Sequence, residues 1–195
     1  MVKIKNKFFF ILALSMALIV TISNFLVQFP VNYFGLQNLL TYGAFSYPVA
    51  FLITDLSNKR YGKNTAKKIV YFGFTLGVFL TFYFSTSDSD LISIRIAIGS
   101  GTAFLVAQLI DVSVFDKLRN KIWFAAPLVS SLIGSTLDTF LFFSISFYGT
   151  GINWITLSFG DLFVKIFVAI VMLIPFRLLL SYIQENSAKE KKISV

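Results

Sequence analysis

Four ionisable residues interrupt long apolar runs in this chain: Arg95, Asp138, Asp161 and Lys165. Asp161 and Lys165 stand four apart, which puts them on one face of a helix. The same spacing groups Asn24 with Gln28, and spacings of four and three line up Ser131, Ser135 and Asp138. Carboxylates set beside a lysine and an arginine in an apolar medium have two uses. They can tie helices together as ion pairs, or they can read the polar edge of a small ligand through charge-assisted hydrogen bonds. A second set, Asp55, Gln108 and Asp111, lies next to runs of basic residues. There, carboxylates pair with snorkelling neighbours or close an inner gate. Tyr42 and Phe45, beside Gly43 and Ser46, could stack on a flat aromatic ligand, although most of the 24 phenylalanines and eight tyrosines must serve packing. Cysteine and histidine are both absent from the sequence. That excludes disulfides, thiol nucleophiles, cysteine or histidine zinc sites and histidine proton shuttles, so no metal or cofactor is expected.

The elements that must position these residues follow from composition. Hydrophobic residues make up 56% of the 195 positions and charged ones 13%, with a mean hydropathy of +0.79. Those values describe an integral membrane protein rather than a soluble domain. The net charge of +8 does not indicate a nucleic-acid partner, because the basic residues are short flanks of apolar runs. A hydrocarbon core about 30 Å thick is crossed by roughly 20 apolar helical residues. Six runs approach that length: Phe8 to Phe29, Leu39 to Leu56, Ile69 to Ser85, Leu91 to Phe115, Ile122 to Tyr148 and Ile155 to Tyr182. The first follows Lys3, Lys5 and Lys7 yet is too long for a signal-peptide core, so it is expected to stay attached.

Connections between the runs alternate in charge. Pro30 to Asn38 and Gly149 to Trp154 carry none, and Ser87 to Asp90 carries only Asp88 and Asp90. The others hold Lys59, Arg60, Lys63, Lys67 and Lys68, then Lys117, Arg119 and Lys121, and the end of the chain holds Arg177, Lys189, Lys191 and Lys192. By the positive-inside rule the basic side is cytoplasmic. The expected fold is therefore all-α: a polytopic, compact bundle of six transmembrane helices forming one domain over residues 1–195, N-in/C-in, with a polar cytoplasmic tail over 183–195.

Orientation assigns depth. Asn24, Gln28, Arg95, Ser131, Ser135, Asp138, Asp161 and Lys165 are expected in one outer layer, and Asp55, Gln108 and Asp111 at the cytoplasmic ends. In the outer layer the four charges balance and should face one another, Asp161 with Lys165 along a helix turn and Arg95 with Asp138 across helices. Gly73 and Gly77, and Gly99 with Gly101 and Ala103, mark close helix approaches. Pro48, Pro127 and Pro175 are candidate kinks.

The ordered segments Ser23 to Pro30, Gly43 to Pro48 leading to Thr54-Asp55-Leu56, Arg95-Ile96-Ala97 through Gln108 to Val112, Ala126-Pro127 through Asp138-Thr139, and Asp161 with Lys165 resemble the queuosine precursor transporters. That family is also called the vitamin uptake transporter family, and the resemblance covers nearly the whole chain. It implies a six-helix inner-membrane importer, not an enzyme, for 7-deazaguanine compounds: 7-cyano-7-deazaguanine, 7-aminomethyl-7-deazaguanine or queuine. It implies a small-molecule partner within a lipid bilayer and no ATPase subunit, and it leaves a homodimer open. Two departures stand out, a very short connection between the third and fourth runs and Ser135 where some relatives would carry asparagine.

Applied to the residues, the resemblance implies that Asp138 or Asp161 accepts the ring N–H and exocyclic amine of the base in a bidentate pair. Asn24 and Gln28 would read the ring carbonyl and pyrrole N–H, Arg95 would donate to the carbonyl or hold the carboxylates, and Lys165 could change protonation during the cycle. The rival reading is the substrate-binding subunit of an energy-coupling-factor type vitamin importer, with Gly99, Gly101 and Ala103 as its docking face.

Overall fold

A computed structural model describes residues 2–27, 29–33, 35–38, 40–84 and 91–181. Gln28, Asp88, Asp90, Lys189, Lys191 and Lys192 lie outside the described residues, as does the tail over 183–195. Among the described residues there are six α-helices: α1 (Val2–Leu26), α2 (Gly43–Tyr61), α3 (Lys63–Phe84), α4 (Leu91–Leu118), α5 (Ala125–Phe147) and α6 (Trp154–Val171). After a turn at Met172 the helical path of α6 resumes over 173–181. Four helices are long and apolar enough to cross a membrane: α1, α4, α5 and α6 with its continuation. The α1–α2 connection is closed by a single antiparallel bridge between Pro30 and Thr41 and a short 3-10 turn at Leu36–Asn38.

The least apolar helix is the most central. α2 packs against α1, α3, α4, α5 and α6, and its buried residues include Ser46, Tyr47, Thr54, Asp55, Ser57 and Asn58. An apolar surround reverses the usual order of burial. Polar side chains are driven together inside the bundle, while Phe25, Phe79, Phe163 and Leu178 stay exposed on its outer face. The central apolar cluster joins Met16 and Val20 of α1, Tyr47 and Ala50 of α2, Ile69 and Val70 of α3, and Phe104 and Val112 of α4. A second joins Leu56, Phe115, Ala126, Phe176 and Leu180 at the other end of α2.

The small residues work as close contacts. A Cβ on Gly73 would meet Met16 Cγ at 2.5 Å and Ala13 O at 3.0 Å, and one on Gly77 would meet Val20 at 2.9 Å, so this pair lets α3 lie directly on α1. On α4 the tight position is Gly99, whose Cβ would collide with Ser146 Oγ of α5. Gly101 faces Phe74 at ordinary contact distance. α4 and α5 form the most extensive helix pair, and Ala103 is fully buried in it.

The connection between α2 and α3 is shorter than the basic run suggests. α2 continues through Lys59 and Arg60 to Tyr61, and Gly62 alone, at φ 86°, turns the chain into α3. A residue with a Cβ would be strained there. The prolines behave differently from one another. Pro48 lies inside α2, Pro175 follows the break at Met172, and Pro127 falls in the first turn of α5. Pro127 is therefore no kink, because a first-turn residue has no intrahelical donor to lose.

Candidate functional site

Two polar layers run through the bundle, and their chemistry differs. The first centres on Lys165, 2% exposed at the core of α6. Its ammonium has three protons, and each finds an acceptor: Asp161 Oδ2 at 2.6 Å, Asp138 Oδ2 at 2.9 Å and Thr139 Oγ1 at 3.1 Å. Thr139 in turn donates to Asp161 Oδ2 at 2.8 Å. The Asp161–Lys165 pair is the expected helix-turn pair, and α5 supplies the other two partners. Each carboxylate spends Oδ2 on the lysine. Two carboxyl groups thus share one ammonium where water is scarce.

The aromatic floor of this layer is Tyr47. Lys165 Nζ sits 5.1 Å from its ring centroid, a cation–π distance. The Tyr47 hydroxyl reaches Ser100 Oγ at 3.0 Å and Asn24 Oδ1 at 3.3 Å, while Ser100 donates to Asn24 Oδ1 at 2.8 Å. Ser23 and Ser46 add a hydroxyl pair at 2.7 Å. Asn24, Tyr47, Ser100, Asp138, Thr139, Asp161 and Lys165 thus form one connected network fed by α1, α2, α4, α5 and α6.

Several expected members sit elsewhere. Arg95 does not pair with Asp138. Its guanidinium donates to Ile145 O at 3.1–3.2 Å and to Tyr148 O at 2.7 Å, carbonyls at the C-terminal end of α5, where a cation suits the helix dipole. Tyr42 precedes α2 and is 37% exposed, and Phe45 is 46% exposed, so neither faces the network. Tyr47, two residues beyond Phe45, takes the buried aromatic position. Ser131 belongs to the second layer rather than the first, and Ser135 lies between them, fully buried with its hydroxyl unpartnered.

The second layer gathers Asp55 with Thr54 and Asn58 of α2, Gln108 and Asp111 of α4, and Ser130 and Ser131 of α5. Ser130 donates to Asp55 Oδ1 at 3.3 Å and Ser131 to Oδ2 at 3.5 Å. Thr54 donates to Gln108 Oε1 at 2.6 Å, and the Asn58 amide to Val112 O at 2.8 Å. Both oxygens of Asp111 and the Gln108 amide nitrogen are buried without partners. At the end of this layer Arg119 donates to Asn58 O and Lys59 O at 3.0 Å, and Lys59 Nζ donates to Arg119 O at 2.6 Å. Those basic residues clamp backbone carbonyls of α2 and of the turn after α4; they do not neutralise Asp55 or Asp111. A small crevice opens beside Asp55 between Pro48, Pro127, Ser131, Met172 and Phe176.

Tyr47, Ser100, Thr139, Ser130, Thr54 and Asn58 are the residues that charge-led reading passes over. A signal exists for α2, where Tyr47, Phe51, Thr54 and Asn58 recur at spacings of four, three and four along one face. For Thr139 it is adjacency to Asp138. Ser100 carries none, since serine next to glycine in an apolar helix reads as packing.

Comparison with known proteins fits this polar-centred bundle. The family described as "Putative vitamin uptake transporter" matches residues 41–180, which hold both layers except for Asn24 and Ser23. The queuosine precursor transporter of Escherichia coli (strain K12) is 31% identical, over 97% of this chain and 94% of its own. A probable queuosine precursor transporter of Haemophilus influenzae is 34% identical, over 80% and 79%. A third, from Bacillus subtilis (strain 168), is 28% identical over 77% and 75%. No solved structure matches. With most of its length matched, and with its charged residues drawn to the inside of an apolar helical bundle, the chain belongs to the vitamin uptake transporter family.

Proposed function

We propose that this protein is an inner-membrane importer of queuosine precursors that carries a 7-deazaguanine base by secondary transport. It would span the membrane six times with both termini in the cytoplasm. Lys59, Arg60, Arg119 and Arg177 would then lie on the cytoplasmic side and Arg95 on the outer side. The observation that carries the reading is the Lys165 network. Its two carboxyl groups, their shared lysine, the aromatic ring and the side-chain amide are converged by five helices on one buried point.

Those groups match the base. The ring N–H and exocyclic amine are adjacent donors, suited to one carboxylate of Asp138 or Asp161. Asn24, together with Gln28, reads the carbonyl and pyrrole N–H, and Tyr47 offers a stacking face in place of Tyr42 and Phe45. Binding requires Lys165 to give up one carboxylate to the ligand, so occupancy would redistribute the ion pairs between α5 and α6. The break at Met172 and Pro48 flank the inner crevice, where a small bend would open the path to the cytoplasm. Asp55, Gln108 and Asp111 form the inner gate.

The rival, a binding subunit of an energy-coupling-factor type importer, needs a free docking face. Gly99 and Ala103 are already buried against α5. Purified chain in proteoliposomes with no ATPase present should take up labelled 7-deazaguanine base. No uptake there, together with uptake once ATPase and coupling subunits are supplied, would favour the rival.

A further inference from the structure

Asp55 and Asp111 face each other from α2 and α4 with α5 beneath them. They are 2% and 0% exposed. Gly134 of α5 permits the approach, because a Cβ there would lie 3.4 Å from Asp111 Cβ and would strike the Phe51 ring. Ser130 sits between the two carboxyls, which lie within each other's electrostatic reach. No cation answers them. Among the described residues the ion pairs are Arg119 with Asp116 and Lys165 with Asp138 and Asp161. On α2 the nearest basic residue, Lys59, donates to a backbone carbonyl. Just beyond α4, Arg119 does the same and pairs with Asp116. The facing positions on α5 are Ser130 and Ser131, and on α6 Ala169 and Met172, none of them charged.

Two adjacent buried carboxylates cannot both stay ionised without compensation. The unpartnered Asp111 oxygens show where compensation is missing, since a buried acceptor with no donor is costly. A proton supplies it and needs no added space. The crevice that reaches Asp55 has a volume of about 10 Å3, room for about one water and too little for a hydrated metal cation.

We infer that Asp55 and Asp111 form a proton-binding site in which one dissociable proton is shared between the two carboxyls, and that its loading and release couple substrate movement to a proton gradient. The proton enters from the outer aqueous phase when the pair is exposed outward. It bridges the carboxyls in the closed bundle and leaves through the crevice past Asp55 to the cytoplasm. Asp55, Ser130 and Ser131 rearrange together because they bind α2 to α5, and a proton shared with Asp111 ties α4 to them. The inference rests on the transporter reading and adds the driving ion.

Proteoliposomes of the full chain, loaded at neutral pH and diluted into acidic sodium-free buffer with labelled 7-deazaguanine base, test it. Coupled to one proton, an inward gradient of one pH unit sustains about tenfold accumulation at zero membrane potential. A protonophore should collapse it, and Asp111→Asn and Asp55→Asn should each lower the ratio of accumulation to counterflow exchange. A difference infrared spectrum of the detergent-solubilised wild type between acid and alkaline pH should show a protonated-carboxyl band that both variants lose. The proton site is overturned by equilibration without accumulation, by accumulation that follows a sodium gradient instead, or by variants that accumulate like the wild type with the band intact. Wild-type vesicles that neither accumulate nor exchange the base would overturn the transporter reading, and the coupling with it.

Discussion

The two polar layers hold carboxylates in opposite electrostatic circumstances. Asp138 and Asp161 share a lysine whose three protons all have acceptors, so their layer is internally complete. Asp55 accepts from two hydroxyls of α5, and among the described residues neither Asp55 nor Asp111 has a cationic partner. Burial is similar, so the difference lies in the partners. A completed network is built to be opened by something that replaces its bonds one for one, as a donor-rich base can. An incomplete one is built to take up something small.

Removing the centre of the complete layer should have the largest effect. Lys165→Met leaves two carboxylates buried together and should cost about 3–5 kcal/mol, read as a lowered unfolding midpoint of the purified protein in detergent. Combining Lys165→Met with Asp138→Asn and Asp161→Asn should recover most of that stability without restoring uptake. If Lys165→Met alone is as stable as the wild type, the network does not organise α5 and α6. Next in size, Thr139→Val takes away the hydroxyl between Lys165 and Asp161 and should cost about 1–3 kcal/mol by the same measurement. The smallest change should have the opposite sign. Asp111→Asn removes a buried carboxyl that has no cationic partner and should be neutral or stabilising by about 1 kcal/mol, and a large loss of stability would show that Asp111 has a cationic partner after all.

Much of this contrast is legible in the sequence, through the residues that are out of place in apolar runs. Asp161 and Lys165 are read correctly because a four-residue spacing fixes a helical pair locally. Arg95 is misread because its partners are backbone carbonyls at the end of α5, and a sequence displays side-chain charges but not free carbonyls. Neither Tyr42 nor Phe45 faces the network, because position along the chain does not fix facing. Two residues separate Phe45 from Tyr47, about 200° around a helix, and only tertiary packing says which side is inside. The centrality of α2 is also hidden, since a hydropathy profile ranks it among the weakest spans and burial ranks it near the top. Ser131 falls into the second layer because the packing of α5 against α2, not its spacing to Asp138, decides its partner.

The division of labour between the layers is tested most directly by equilibrium binding of labelled 7-deazaguanine base to the detergent-solubilised protein. Asp138→Asn and Asp161→Asn should each weaken binding by about tenfold or more, the scale of one lost charge-assisted contact, while Asp111→Asn changes it by less than about threefold. Binding lost in Asp111→Asn and retained in both of the others would place the substrate at Asp55 and Asp111 and contradict the assignment to the Lys165 layer.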